Sequence, residues 1–457
     1  MRIIFRRGLT ITAALFLLGF HVSLAAQATG NIAGIVTDDS GAVLPGVTIE
    51  VTNTNTGQTR GAVTRADGYF SLPLLQPGVY QIKGTLSGFK TFVREGVTVT
   101  VESTARVDMQ LPVGGLQESI TVQADAPLVE TSNATLGIVV DEKKVVELPL
   151  NGRNFTQLGT LLPGVVAPPA ALGGASGEAT PGGFGATTSG FSVNGMRNQS
   201  NNFLLDGASN NDTFNTGFVL RPPPDAIQEF KILTHSYTAE YGRSAGSVVN
   251  VVSKGGTNQL HGAVWEFNRD DSLQARNYFV PSTQPKPKLK QNQFGFSLGG
   301  PVMRNRLFGF GYYEGFRNTS GVTQNFIVLT DAQRTGAFGA TVIRDPLTGL
   351  PFPNNQIPAD RIDPAALKML LLIPAPNLAA FPSNYSATGT YEFDRDNLDF
   401  KVNYNPGTRG SIFARYSISP SDIFDPPSLG DAGGDALAGG QPGRAPGRIQ
   451  STAVGAT

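Results

Sequence analysis

Residues 221–267 read RPPPDAIQEFKILTHSYTAEYGRSAGSVVNVVSKGGTNQLHGAVWEF. Two strand-like runs are separated by turn residues, and the second is the β-branched stretch Ser247 to Lys254. Gly255-Gly256-Thr257-Asn258 then reads as a turn, and His261 to Phe267 as an amphipathic strand. Gly242-Arg243-Ser244-Ala245-Gly246 has the G-x-S-x-G spacing of a nucleophile elbow. An elbow needs a strand before the serine and a helix after it. Here a strand follows, and only His261 lies downstream to act as a base. Ser244 is therefore read as turn chemistry, and no catalytic group is placed in the stretch.

The rest of the composition agrees with a β-rich chain that performs no obvious bond-breaking chemistry. The 457 residues carry 35 basic and 35 acidic side chains, so no net charge draws the protein toward nucleic acid. Charged residues make up 15% and glycine reaches 55, a balance suited to β-structure with many turns. With no cysteine, disulfides, thiolate metal sites and a lipid-anchored lipoprotein are excluded. His21, His235 and His261 are too scattered to form a metal site, and no phosphate loop or basic-aromatic surface occurs. No cofactor is expected. Asp394 to Asp399, DRDNLD, lacks the glycine and glutamate of a calcium loop and fits the start of a strand.

Arg2, Arg6 and Arg7 precede a short apolar core, Gly8 to Phe20, and then small residues. This is the pattern of a removable signal peptide over residues 1–28, with Ser23-Leu24-Ala25 and Ala26-Gln27-Ala28 both open as the cleavage signal. No later segment offers about 18 consecutive apolar residues, so no transmembrane helix is expected.

Three regions follow. In residues 29–112, Val47, Ile49 and Val51 alternate with Thr48, Glu50 and Thr52, and Val107, Met109 and Leu111 with Arg106, Asp108 and Gln110. Turn signals such as Asp39-Ser40-Gly41, Asp67-Gly68 and Gln76-Pro77-Gly78 break these runs, which predicts a small β-sandwich. The order GIVTDDSGAVLPGVTIEVTNTNTG then TRADGYFSLPLLQPGVYQIKGTLSGFK resembles the carboxypeptidase regulatory-like domain, a transthyretin-like sandwich. The name implies no peptidase, since the region holds no histidine. The resemblance implies a spacer or docking module, or a sugar-binding one.

Residues 113–256 contain ELPLNGRNFTQLGTLLPGV (Glu147 to Val165) and FSVNGMRNQSNNFLLDG (Phe191 to Gly207). Both resemble plug motifs of the Oar-like TonB-dependent outer-membrane receptors, which carry such a sandwich in front. The resemblance implies an α+β plug. It also implies that Glu118, Ser119, Ile120, Thr121 and Val122 form a TonB box, which would add as a strand to the partner's sheet through backbone hydrogen bonds. The competing reading of that segment is an ordinary strand or linker. The glycine-rich stretch Pro168 to Gly190 is read as a mobile loop. Asp206-Gly207 suits a tight turn, and Asn194, Arg197 and Asp206 are assigned turn and buried-network roles in preference to ligand binding.

From residue 257 to 457 the alternation is long and regular. Phe294, Phe296 and Leu298 share one side, as do Phe308, Phe310 and Tyr312, then Leu398, Phe400, Val402 and Tyr404, then Ile412, Ala414, Tyr416 and Ile418. One face is expected to meet lipid and the other a polar lumen, as in transmembrane β-barrels; the competing reading is a soluble sandwich. Trp265, Phe316 and Tyr404 near strand ends are expected in interfacial girdles. Asn318 to Tyr391 reads as a long outer loop with one helix at Pro364 to Leu372. About six barrel strands are counted, against about 22 in plugged transporters, which implies a truncated barrel.

The fold expected is thus mainly β: a transthyretin-like β-sandwich, an α+β plug domain, and the first strands of an incomplete transmembrane β-barrel. Residues 221–267 mark the passage from plug to wall. The resemblance implies an outer-membrane receptor with its sandwich in the periplasm. TonB and its inner-membrane energising complex, outer-membrane lipid and an extracellular solute, with an oligosaccharide as the candidate, would be its partners. A non-transporting adhesion or structural protein of the same fold is the first alternative, and a secreted enzyme the second.

Overall fold

The computed structural model describes residues 24–26, 28–114, 119–122, 135–166, 191–212, 217–242, 244–276, 286–379, 383–407 and 410–457. Most of the expected signal peptide, Glu118, and the glycine-rich stretch Pro168 to Gly190 lie outside the described residues.

A three-residue strand, β1 (Leu24–Ala26), comes first. The sandwich follows, with β2 (Gly30–Thr37), β3 (Thr48–Asn53), β4 (Thr59–Val63), β5 (Tyr69–Leu75), β6 (Gly78–Thr85), β7 (Thr91–Val99), β8 (Thr104–Arg106) and β9 (Met109–Gln110). One sheet runs β7-β6-β3-β4 and the other β5-β2-β8, with β9 also pairing β2. Period-2 alternation sends Val47, Ile49 and Val51 inward to meet Ile32, Phe70, Tyr80 and Ile82. Val107, Met109 and Leu111 join the same core. Each such aliphatic side chain removed from water contributes about 1.5–3 kcal/mol, which offsets the ordering of a small domain. A further strand, β10 (Ser119–Val122), lies on the outer edge of β7.

The central unit comprises β11 (Leu136–Asp141), α1 (Glu142–Glu147), β12 (Val165–Val166), β13 (Ser192–Val193), β14 (Asn202–Leu205), β15 (Ala208–Ser209), β16 (Ile227–His235) and β17 (Val248–Ser253). Its main sheet has the order β11-β16-β17-β14-β15. All six residues of β17 are buried, because both faces of that sheet are covered. This explains why SVVNVVSK reads as a β-branched run instead of a clean alternation. Phe155 anchors the core, with its ring centroid 5.4 Å from that of Phe230 and 5.8 Å from that of Phe218.

The third layer is an antiparallel meander: β18 (His261–Asp270), β19 (Leu289–Met303), β20 (Leu307–Phe326), β21 (Tyr385–Tyr404), β22 (Ile412–Asp425) and β23 (Gly443–Ala456). Two short helices, α2 (Asp331–Arg334) and α3 (Pro364–Leu372), lie between β20 and β21. β1 pairs in parallel with the edge of β23, and among the described residues the sheet does not close on β18.

This wall is the reverse of a soluble sandwich. Val264, Phe296, Leu298 and Phe400 are exposed, at 87%, 51%, 55% and 57%, while Asp399, Lys401, Arg415 and Ser417 are buried against the central unit. Apolar outside and charged inside is the pattern of a strand wall in lipid, and it rules out the soluble-sandwich reading.

Several expectations need correction. Trp265 and Phe316 are buried on the inner face, so they form no interfacial girdle; Tyr404, 44% exposed, does point outward. Phe308, Phe310 and Tyr312 also face inward, the last two packing on Ala226 of the central unit, and β20 presents glycine to the outside. Alternation reports that two faces differ, and packing decides which one is covered. The expected loop from Asn318 begins too early, since the β20–β21 ladder continues to Phe326↔Tyr385.

Candidate functional site

The chemistry of the molecule concentrates where the central unit touches its two neighbours. On the wall side the key group is Asp206. It occupies the two-residue loop between β14 and β15, where Leu205 pairs Ala208. Asp206 and Gly207 have φ of 52° and 81°, the left-handed pair that Asp-Gly supplies in a tight hairpin. The turn carries the carboxylate into the interface, 2% exposed.

There Asp206 Oδ1 accepts from Lys401 Nζ at 2.9 Å and from the Ser253 N–H at 2.9 Å. Oδ2 accepts from Arg415 Nη1 and Ser253 Oγ, both at 2.7 Å. Lys401 Nζ also donates to the Ser253 carbonyl at 3.0 Å. Arg415 Nε lies 3.8 Å from Asp399, which accepts from the Ser417 hydroxyl. Two acids thus face two bases in a buried cluster drawn from β17, β21, β22 and the β14–β15 turn. Burial alone pushes Asp206 up. The Lys401 and Arg415 charges beside it outweigh that and hold its carboxyl below the ordinary carboxylate range.

A second bolt lies at Arg153, in the NGRNF turn. It is ion-paired with Asp225, and its guanidinium sits 4.1 Å from the Phe267 ring centre and 5.8 Å from that of Trp265 on β18.

The side facing the sandwich is built differently. Glu102, with φ of 53°, caps the turn after β7. Its Oε1 accepts from Tyr241 Oη at 2.8 Å and Asn250 Nδ2 at 2.7 Å, and its carbonyl accepts from Lys231 Nζ at 2.6 Å. Glu229 of β16 accepts from the Val101 N–H at 2.6 Å. Burial pushes Glu229 up to about 7; the Val101 N–H and Lys231 oppose this, and Asp141 and Glu102 reinforce it.

Of the residues picked from sequence, Asp206 takes the turn and the buried network together. Asn194 stays a turn residue, its side chain donating to the Thr234 carbonyl at 3.0 Å, and Arg197 is exposed outside the network. Ser244 donates to the carbonyls of Ser200 and Ser247, and a strand follows it, so no elbow forms. Ser119–Val122 contributes no residue to the Asp206 cluster. It pairs in parallel with β7, in the register Ser119↔Thr91 to Val122↔Arg94. Sequence reading missed Lys401, Arg415, Arg153 and Glu229. The available signal for the first two was a cation at an inward parity of a strand whose other parity is apolar, in Phe400-Lys401-Val402 and Ala414-Arg415-Tyr416.

Comparison with known proteins gives three domain matches. Residues 31–112 match the carboxypeptidase regulatory-like domain, 132–249 the TonB-dependent receptor plug domain, and 252–457 the outer membrane beta barrel domain. The TonB-dependent transporter Oar of Myxococcus xanthus is 25% identical over 449 residues, which cover 95% of this chain and 38% of Oar. The probable TonB-dependent siderophore receptor PirA of Acinetobacter baumannii is 28% identical over 92 residues, covering 19% of this chain and 11% of PirA. Among solved structures, the outer membrane transporter YddB of Escherichia coli aligns with a TM-score of 0.41 at 12% identity, over 64% of this chain and 34% of YddB. The chain therefore spans well under half the length of these relatives.

Proposed function

We propose that this chain, which belongs to the TonB-dependent outer-membrane receptors, forms the gated part of a transporter that takes up an extracellular solute with energy delivered by TonB. The observation that carries this reading is the Asp206 cluster joining plug and wall. A permanent filler is best made apolar, because a buried ion pair replaced by well-packed hydrophobic groups is often neutral or more stable. A stopper that must leave and return is different. Its charged contacts can be rehydrated when it moves, whereas an apolar contact would be left facing water. Charged plug and wall surfaces thus suit a gate.

In this reading Glu118, Ser119, Ile120, Thr121 and Val122 form the segment on which TonB pulls, with the sandwich in the periplasm. The extended backbone of Ser119–Val122 supports it, since a strand can join another strand without requiring particular side chains. The solute class we infer is an oligosaccharide, as the resemblance of the sandwich to the carboxypeptidase regulatory-like family implies; a siderophore, named for PirA, is its rival. No step of transport requires bond-breaking by the chain itself.

Capture of the periplasmic domain of TonB by the full chain in outer-membrane vesicles tests the coupling. The unmodified chain is expected to capture it and Ile120→Pro to lose it, because proline cannot complete the ladder. Failure of the unmodified chain to capture TonB would sink the reading. Uptake of a labelled oligosaccharide against a labelled ferric siderophore decides the solute.

A further inference from the structure

The segment assigned to TonB is already occupied. Ser119–Val122 is a strand of the sandwich sheet, at the end of the order β10-β7-β6-β3-β4. We propose that the β7 edge of the sandwich is a parking site for Ser119–Val122 and competes with TonB for it. The inference rests on the TonB reading above and adds to it a built-in control of access.

Three observations support it. First, the pairing uses the same chemistry that TonB would use. Four consecutive residues, Ser119↔Thr91, Ile120↔Phe92, Thr121↔Val93 and Val122↔Arg94, are in register along one edge of β7. Backbone groups that face β7 are unavailable to a second strand. Second, the site and its occupant are joined by a short tether. The described sandwich ends at Gly114, and β10 begins at Ser119, so residues 115–118 connect them. A tether this short presents the segment at an effective concentration on the order of millimolar, against which a dilute partner must compete. Third, the hold is weak enough to yield. The pairing is parallel, which is slightly less stable per residue than antiparallel, and it is only four residues long. Without this occupant β7 would expose an open edge, which is a liability for a sandwich.

The parking strand also reports to the plug. β7 runs directly into the turn that places Val101 on Glu229 and Glu102 on Tyr241 and Asn250. The edge that holds the segment and the turn that touches the plug are therefore consecutive in the chain.

The absence of cysteine makes the test clean. Neighbouring strands lie about 4.8 Å apart, inside the roughly 4.4–6.8 Å Cα window of a disulfide. Thr121→Cys combined with Val93→Cys is in register, and Thr121→Cys combined with Thr98→Cys is the off-register control. In outer-membrane vesicles the first pair is expected to cross-link readily and the control not to. The oxidised in-register chain should lose capture of the TonB periplasmic domain, and a reductant should restore it. Lengthening the 115–118 tether to about twenty residues should tighten apparent TonB binding by up to roughly tenfold, following the −3/2 power fall of effective concentration.

Absence of the in-register cross-link overturns the parking site. Equal TonB capture by oxidised and reduced chains overturns the competition, because TonB would then be adding to the free outer edge of β10. If neither the reduced nor the unmodified chain captures TonB, the TonB reading and the competition fall together. The cross-link yield still distinguishes that result from a failure of the pairing geometry.

Discussion

The plug buries a carboxylate on each of two faces, and the two are treated in opposite ways. Toward the wall, Asp206 meets two cations and the backbone and hydroxyl of Ser253, and its proton affinity falls. Toward the sandwich, Glu229 is buried and meets one N–H, with Lys231 near, while the Asp141 and Glu102 charges repel its own, and its pKa is pushed up to about 7. One contact is therefore a bolt and the other is adjustable. In the wall contact Asp206 sits against Lys401 and Arg415, which hold its carboxyl below the ordinary range, so that carboxylate stays charged as pH falls through mild acid. The sandwich contact includes one carboxyl, Glu229, whose proton is held up to about pH 7, so that part of the contact weakens as pH rises through neutrality.

Removing the bolt should have the largest effect. Asp206→Ala leaves Lys401 and Arg415 buried without their shared acid, which costs about 3–5 kcal/mol. The urea concentration at which the plug becomes protease-sensitive should fall strongly. An unchanged midpoint would show that the cluster does not hold the plug.

A middle-sized effect is expected from pH at the other face. Glu229 moves from an ordinary 4.5 to about 7 on burial, so the packed state binds its proton more tightly. That contribution is fully present below about pH 4.5 and is lost as pH rises through about 7. Cleavage between sandwich and plug should therefore be faster at pH 8 than at pH 6, and Glu229→Gln should flatten the difference. A pH profile unaltered by Glu229→Gln would remove the contrast between the faces.

The smallest effect is predicted for Lys144→Ala. Its pair with Asp141, at 2.7 Å, is about half exposed on both sides. Exposed pairs of this kind contribute at most about 0.5 kcal/mol. A larger loss in unfolding midpoint would mean that α1 has a role in the interface.

Much of this architecture could be read from the chain. The buried row Val47, Ile49 and Val51, the helix Pro364–Leu372, the Asp206-Gly207 turn and the passage from β17 to β18 all depend on local rules of period and turn chemistry. The inner face of β20 was not legible, because Phe308, Phe310 and Tyr312 alternate with glycine whichever way they point. Trp265 and Phe316 misled because an aromatic near a strand end reads the same whether it points to lipid or to the covered face.

Residues 221–267 carried their own local structure: a strand, a turn, a covered strand, an exit turn and an amphipathic strand. Side-chain parity and turn residues act over a few positions, so those features belong to the sequence. Which cations meet Asp206 does not, since Lys401 and Arg415 lie 195 and 209 positions away. Nor does the pairing of Ser119–Val122 with β7, because backbone hydrogen bonds leave no mark on side-chain pattern. Both were decided by tertiary structure, which alone brings distant strands into one register and makes one face of each alternation the inside.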